Sequence, residues 1–443
     1  MSAQNVTHLA ASFLVMQSKI KAALYGMYIG DALAMPVHWY YDTSRIRKDF
    51  GPSGITKYEA PVKNFPGSIM NLSNTGGGGR GSDKDSIVGE LILHGKKKFW
   101  LRGGSYHYHH GMKAGENTLD TLIARLMLQT ILSMKNGENS ENNDSTRELT
   151  QQYRNTNNNK KSKTTNVEIN VFTETFLNDY IKFMTTPDTH NDVYAATAHR
   201  MFFANYANKR DKFHCADNDG HNTDSVDGVI NVLVVSLNEM VVEARNAQLN
   251  GENGPIDLSV GVTDKEKKNK PLKKVIYDSI NMIRKSEELP FYGYIYHNLL
   301  AKLILEQKEL RQSILEIIDE NPVVFKKGMR GLSKERLEEF RKTDASADPM
   351  SACYVTSNFP VMLMLAYKYA GSLEQALLAS ANAGGENVNR NALLGGIMGA
   401  SSGMNSEIET LLDGLVLKEQ LVNEVEEFVN IQQYASKNVK IEL

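Results

Sequence analysis

The apolar positions of this chain recur at helical rather than strand spacing. Over residues 8 to 30, Ile20, Leu24, Met27 and Tyr28 share one stripe and Pro36 follows soon after, which predicts a first helix ending before that proline. "TLDTLIARLMLQTILSM" puts Leu119, Leu122, Ile123, Leu126, Met127, Ile131 and Met134 on an amphipathic helix closed by Asn136-Gly137. Helical patterns also cover about 167 to 186, 192 to 208, the run "VINVLVVSLNEMVVEA", 275 to 320, 357 to 370, 372 to 382 and 388 to 401. Few segments alternate as half-buried strands do, so the expected class is all-α. Two polar stretches, about 137–166 and 246–274, lack a periodic apolar face and read as surface insertions. They interrupt the apolar pattern without dividing it, so a single large domain over residues 1–443 is expected.

Charge narrows the partners. Fifty basic against fifty-two acidic side chains leave a net charge of −2, and no global basic field exists to collect nucleic acid or anionic lipid. A small-molecule or protein substrate is the expected partner. Two cysteines, Cys215 and Cys353, are too few for a disulfide framework and suit a reducing compartment. The early apolar run "LAASFLVM" is short, no basic region precedes it, and no run approaches the roughly 20 apolar residues of a membrane span. A cytoplasmic protein is therefore expected. The lysines of "KEKKNKPLKK" fit a solvated loop better than a phosphate site or localisation signal.

Polar groups concentrate at three helix mouths. In "GMYIGDALAMPVHWYYD", Gly26 and Gly30 lie four apart and let another backbone approach, while Asp31 sits near a helix end, where a carboxylate is unfavourable unless something meets it. Either Asp31 faces a ligand cavity with His38 and Asp42, or it bonds turn amides and His38 is satisfied in the core. In "YHYHHGMKAGENTLDT", His107, His109 and His110 could stack on a ring or ligate a metal, but no second ligand motif completes a metal centre. Asn117 is placed to cap the next helix and Asp120 to favour its positive end, which leaves Glu116 and Thr118 unexplained. In "GGENVNRNALLGGIMGA", Glu386, Asn387, Asn389 and Arg390 crowd one turn beside two glycines, far more polarity than a cap requires. Ala392, Gly395, Gly396, Gly399 and Ala400 imply close neighbours along that helix. A fourth stretch, "DNDGHNTDSVDG", lacks the closing glutamate of a calcium loop; Asp219 and His221 either line the same pocket or belong to an ordinary turn.

These segments, in this order, resemble the ADP-ribosylglycohydrolase family, which includes dinitrogenase-reductase-activating glycohydrolases and J1 crystallins. The resemblance rests on "GDALAMPVHWYYD", "GENTLDT" and "GGENVNRNALLGGIMGA" and implies an all-α, orthogonal multi-helix domain. Family members that cleave ADP-ribosyl bonds usually carry Thr-Asp-Asp-Thr and Gly-Gly-Asp-Thr-Asp-Thr-Asn motifs that hold two magnesium ions. Here the first is Thr118-Leu119-Asp120-Thr121, and the second reads Gly384-Gly385-Glu386-Asn387-Val388-Asn389-Arg390. One acid in each motif is thus replaced by a hydrocarbon, and His38 stands where a glutamate is often found. The resemblance leaves Thr118, Asp120 and Glu386 as oxygen ligands for at most one magnesium ion, with Arg390 filling the place of a lost cation.

The function so implied is hydrolysis of a glycosidic bond at an anomeric carbon, in an ADP-ribosylated or nucleoside-like substrate. Asp120 or Glu386 would activate water, with or without one magnesium. Asp31, His38, His107, Glu116, Asn117, Asp219, His221, Asn387, Asn389 and Arg390 would contact substrate. The alternative is a non-catalytic binding or structural member, as the crystallins illustrate. Either reading requires Asp31, His38, Asp120, Asp219, Glu386 and Arg390 to converge on one cleft, since buried polar groups need shared partners.

Overall fold

Glycines decide which helices of this chain can touch. In the computed structural model, which describes residues 3–72, 87–101, 104–139, 171–216, 223–249, 274–325 and 331–430, helix α1 (Ala3–Ala34) lies antiparallel to the helix Val388–Ser402. A Cβ on Gly26 would sit 2.1 Å from the Gly395 carbonyl oxygen, and one on Gly395 would sit 1.9 Å from that of Gly26. Gly30 meets the Asn391 carbonyl and Gly399 that of Ala22 in the same way, at 2.1 and 2.0 Å. Contact points four residues apart on both helices form one seam of backbone against backbone. Both small-residue patterns singled out in the sequence belong to it.

Around this pair are α2 (Thr43–Phe50), α3 (Leu119–Asn139), α4 (Val171–Thr185), α5 (Thr197–Ala207), α6 (Ile230–Leu249) and α7 (Leu289–Ile304). They are followed by α8 (Leu310–Glu320), α9 (Lys334–Arg341), α10 (Val355–Lys368) and α11 (Leu373–Ala383). The Val388–Ser402 helix is α12, and α13 (Ser406–Leu412) and α14 (Lys418–Val429) complete the order. No strand ladder occurs among the described residues, and the fold is all-α as expected. The buried apolar side chains form one cluster running from Met16 to Val429. No helix among the described residues is long and apolar enough to cross a membrane.

Several boundaries differ from the periodic reading. α1 continues through Asp31 to Ala34 and passes into a tight turn, Met35–Val37, in which Pro36 is tolerated because a first turn needs no N–H there. α3 does not close at Asn136-Gly137 but runs to Asn139, and α6 runs to Leu249, so the described edges of both polar stretches are helical. The rest of those stretches, 140–170 and 250–273, lies outside the described residues. α5 begins at Thr197 rather than 192, because Asp192 belongs to an extended segment that serves the site. α13 and α14 were not among the helical patterns drawn from the sequence.

Replacing a seam glycine forces two backbones apart, whereas Gly371 has no atom within 4 Å of an added Cβ. Gly395→Ala should therefore cost about 3 kcal/mol in chemical denaturation, near the upper end of ordinary overpacking penalties. Gly371→Ala should stay within about 0.5 kcal/mol of the parent.

Candidate functional site

The seam brings the C-terminal end of α1 against the N-terminal end of α12, and the site forms where they meet. The entry to α12 is held by backbone pairing: Gly385 N–H donates to the Tyr40 carbonyl at 2.8 Å, and Trp39 N–H donates to that of Gly385 at 2.9 Å. Gly384 and Gly385 have φ of 72° and 71°, and a Cβ on either would collide with a carbonyl oxygen, of Tyr40 or Ser351 respectively. The paired glycines are therefore a steric requirement. Trp39 opposite them adopts φ of 58°, an uncommon conformation for a bulky residue and one that tends to occur at functional sites.

From this junction a chain of four ionisable side chains runs inward. His38 Nε2 lies 3.0 Å from both oxygens of Glu386, and His38 Nδ1 lies 2.7 Å from His109 Nε2. His109 Nδ1 lies 2.9 Å from Asp192 Oδ1. Asp192 also accepts from the backbone N–H groups of Leu119, at 2.9 Å, and Tyr194, at 3.0 Å. The two imidazole planes agree within 5° with centroids 5.0 Å apart, the geometry of an in-plane bond between ring nitrogens. A 2.7 Å contact between ring nitrogens needs one N–H between them, one ring donating and the other accepting. Trp39 stacks on His38 with centroids 4.1 Å apart. Burial works against charging His109, but the Asp192 carboxylate outweighs it and raises its pKa. Burial likewise disfavours the Asp192 anion, yet His109 and the two amides bring its pKa down to about 2.

A second carboxylate system lies beside the first. Asp120, in the first turn of α3, pairs with His199 Nε2 at 3.0 Å, and Tyr180 OH lies 2.8 Å from the other ring nitrogen. The Asn389 side-chain amide nitrogen spans the two systems, 3.1 Å from Glu386 Oε1 and 3.4 Å from Asp120 Oδ2. Burial opposes the Asp120 anion, but the His199 N–H and charge, together with the Arg284 guanidinium, hold its pKa below the ordinary carboxylate value. Asp120 borders a recess of about 280 Å³, its mouth included, with His199, Asp227, Asn231, Ile283 and Arg284 among its walls. The depth of the recess has room for about one water.

His38, Glu386 and Asp120 are linked through the Asn389 amide, and Asp31 stands apart from them. Asp31 faces neither solvent nor cavity. It accepts from Thr118 N–H at 2.8 Å, Thr118 Oγ1–H at 2.6 Å and the Asn117 amide at 2.9 Å, and burial raises its pKa despite these bonds. The entry of α3 is therefore capped by the carboxylates of Asp31 and Asp192. The cap expected of Asn117 is not made: its amide donates to Asp31 and to the Tyr28 carbonyl.

Other expected contacts are also structural. Arg390 turns away from the cleft, donating to Ser380 Oγ and to the carbonyls of Ser380 and Gly384 at the end of α11. Those carbonyls and the Ser380 hydroxyl set its place. Burial lowers its pKa to about 10, against the pull of Glu386. The Asn387 amide donates to the Val37 and Ala381 carbonyls. Glu116 ties its loop through Lys113 N–H and the Asn191 amide. His107 is fully buried and takes the His109 backbone N–H on Nδ1 at 3.0 Å, and burial keeps it neutral. Asp42 caps α2 by accepting from Ser44 N–H. Asp219 and His221 lie outside the described residues. The sequence reading did not assign Trp39, Asp192, His199 or Arg284, and of these only Trp39 lies within a quoted motif.

Two carboxylate–imidazole systems thus lie at the entries of α3 and α12 on an all-α frame. The family model for ADP-ribosylglycohydrolase matches residues 14–248 and 284–438, and the chain belongs to that family. A solved structure described as an "ADP-ribosylglycohydrolase-related protein complex" covers 94% of this chain and 99% of its own, at 13% identity and a TM-score of 0.45, a likeness too slight to build on. No curated protein matches the chain.

The linkage of Asp192 to pH follows from its depressed pKa. Its contribution, on the order of 2 kcal/mol, should be fully present above about pH 4 and vanish as pH falls through about 2. Urea denaturation of the parent and Asp192→Asn across that range should show the two stabilities converging at the acid end.

Proposed function

We propose that this protein hydrolyses a glycosidic bond at the anomeric carbon of a ribosyl group, with Asp120 as general base and the recess as the seat of the attacking water. The observation that carries this reading is the position of Asp120. It is an ionised carboxylate held in place by His199, and it faces a water-sized space among further polar groups. The water oxygen bonds to the anomeric carbon as Asp120 takes its proton, and the bond to the leaving group breaks with the electron pair leaving on that group. The leaving group recovers a proton from solvent at the open mouth. Positive charge developing on the ribose ring is met by the Asp120 and Glu386 carboxylates. Glu386 is only 2% exposed and both its oxygens face His38, which suits it to electrostatic support better than to proton abstraction.

Family membership supports an ADP-ribosylated or small-molecule substrate. The depth of the recess holds about one water, so the ribosyl end would sit at its mouth and the remainder along the surface.

The test is turnover of a panel comprising ADP-ribosyl-arginine, ADP-ribosyl-serine, O-acetyl-ADP-ribose and simple nucleosides. Asp120→Asn should keep the fold and lower kcat by about 10²- to 10⁴-fold on whichever member is cleaved, the range for removal of a general base. Glu386→Gln should fold and also be strongly impaired. Binding of ADP-ribose without turnover of any panel member would favour the non-catalytic alternative.

A further inference from the structure

We propose that this protein works without a bound divalent cation, the Asn389 carboxamide holding Asp120 and Glu386 together in place of a metal ion. The inference does not depend on which bond is cleaved. Magnesium requires about six hard oxygens in near-octahedral array, some of them water. The three oxygen ligands that the family resemblance leaves here are already engaged by hydrogen-bond donors or acceptors. Thr118 Oγ1 gives its proton to Asp31 at 2.6 Å. Glu386 Oε1 accepts from the Asn389 backbone N–H at 3.3 Å and side-chain amide at 3.1 Å, and His38 Nε2 faces both its oxygens at 3.0 Å. Asp120 has His199 on one oxygen at 3.0 Å and the Asn389 amide on the other at 3.4 Å. The positions between these acids that would complete a metal shell are hydrocarbon, Leu119 at 2% exposure and Val388 at 0%.

Geometry leads to the same conclusion. Glu386 and Asp120 each face an imidazole nitrogen at 3.0 Å. A dication entering between the acids would have to displace the amide that joins them. Among the described residues, no group of three or more His, Cys, Asp and Glu side chains is arranged to hold a metal. Two motif acids are thus hydrocarbons at Leu119 and Val388, His38 stands where a glutamate is often found, and the Asn389 amide bridges the two acids that remain.

The experiment is titration of the full chain, stripped with chelator, with magnesium chloride and with manganese chloride. Calorimetry should detect no saturable binding up to about 5 mM, and the melting temperature should agree within about 1 °C in chelator and in manganese. Asn389→Asp replaces the bridging donor with a third carboxylate. It should melt lower than the parent in chelator and recover on adding manganese, with a bound-manganese signal in electron paramagnetic resonance. If that variant does not fold, Asn389→Ser, which clears the amide and supplies a hydroxyl, should bind manganese measurably where the parent does not. Saturable binding of one or two ions by the unaltered protein tighter than about 1 mM overturns the proposal. So does a folded Asn389 variant that gains no manganese binding.

Discussion

The contact on which the structure depends is the backbone-to-backbone seam of α1 and α12. Glycines at 26, 30, 395 and 399 let each helix lie against the carbonyls of the other, with no side chain between them. Because the helices run antiparallel, the C-terminal end of one and the N-terminal end of the other are fixed at the same place. The chain leaving α1 must turn sharply through Pro36 to Tyr40, and the chain entering α12 must turn through Gly384 and Gly385. Hydrogen bonds between these two turns, Gly385 to Tyr40 and Trp39 to Gly385, lock His38 against Glu386. A wider interhelical gap would separate the imidazole from the carboxylate.

Burial then sets the chemistry. Asp31, Asp192 and Glu386 are each at most 2% exposed, and a carboxylate so placed persists only with close donors. Asp31 and Asp192 find theirs in the first amides of α3, whose unpaired N–H groups need acceptors. Helix α3 is thereby pinned at its mouth, and Asp120, two residues further on, is aimed at the recess. Glu386 finds its donors in His38 and Asn389. One set of interactions therefore stabilises two helix entries and orients the groups proposed for catalysis. Mutations at Asp31 or Asp192 should be read first as losses of position.

The sequence made the helical class, the glycine seam and the three polar mouths legible, because each leaves a local mark: a period, a spacing of four, or polarity crowded beside glycines. What it could not convey was direction. Arg390 and Asn387 sit in the same turn as Glu386, yet their side chains point back into the end of α11 and the α1 turn, where free carbonyls need donors. Asn117 reads as a cap because of its place before a helix, but two carboxylates from distant segments occupy that position first. Asp192 and His199 carry no motif at all. They meet Leu119 and Asp120 only through tertiary packing, which no spacing along the chain encodes.

The central claim is that Asp120 and the recess beside it form the seat of an anomeric centre. The most direct measurement is a crystal structure of the Asp120→Asn variant soaked with ADP-ribose. The account predicts the anomeric carbon of the terminal ribose at the recess mouth, with a water between it and residue 120 at about 3 to 3.5 Å from the carbon, the separation of a near-attack arrangement. A terminal ribose bound away from both residue 120 and Glu386, or excluded from the recess altogether, would contradict it.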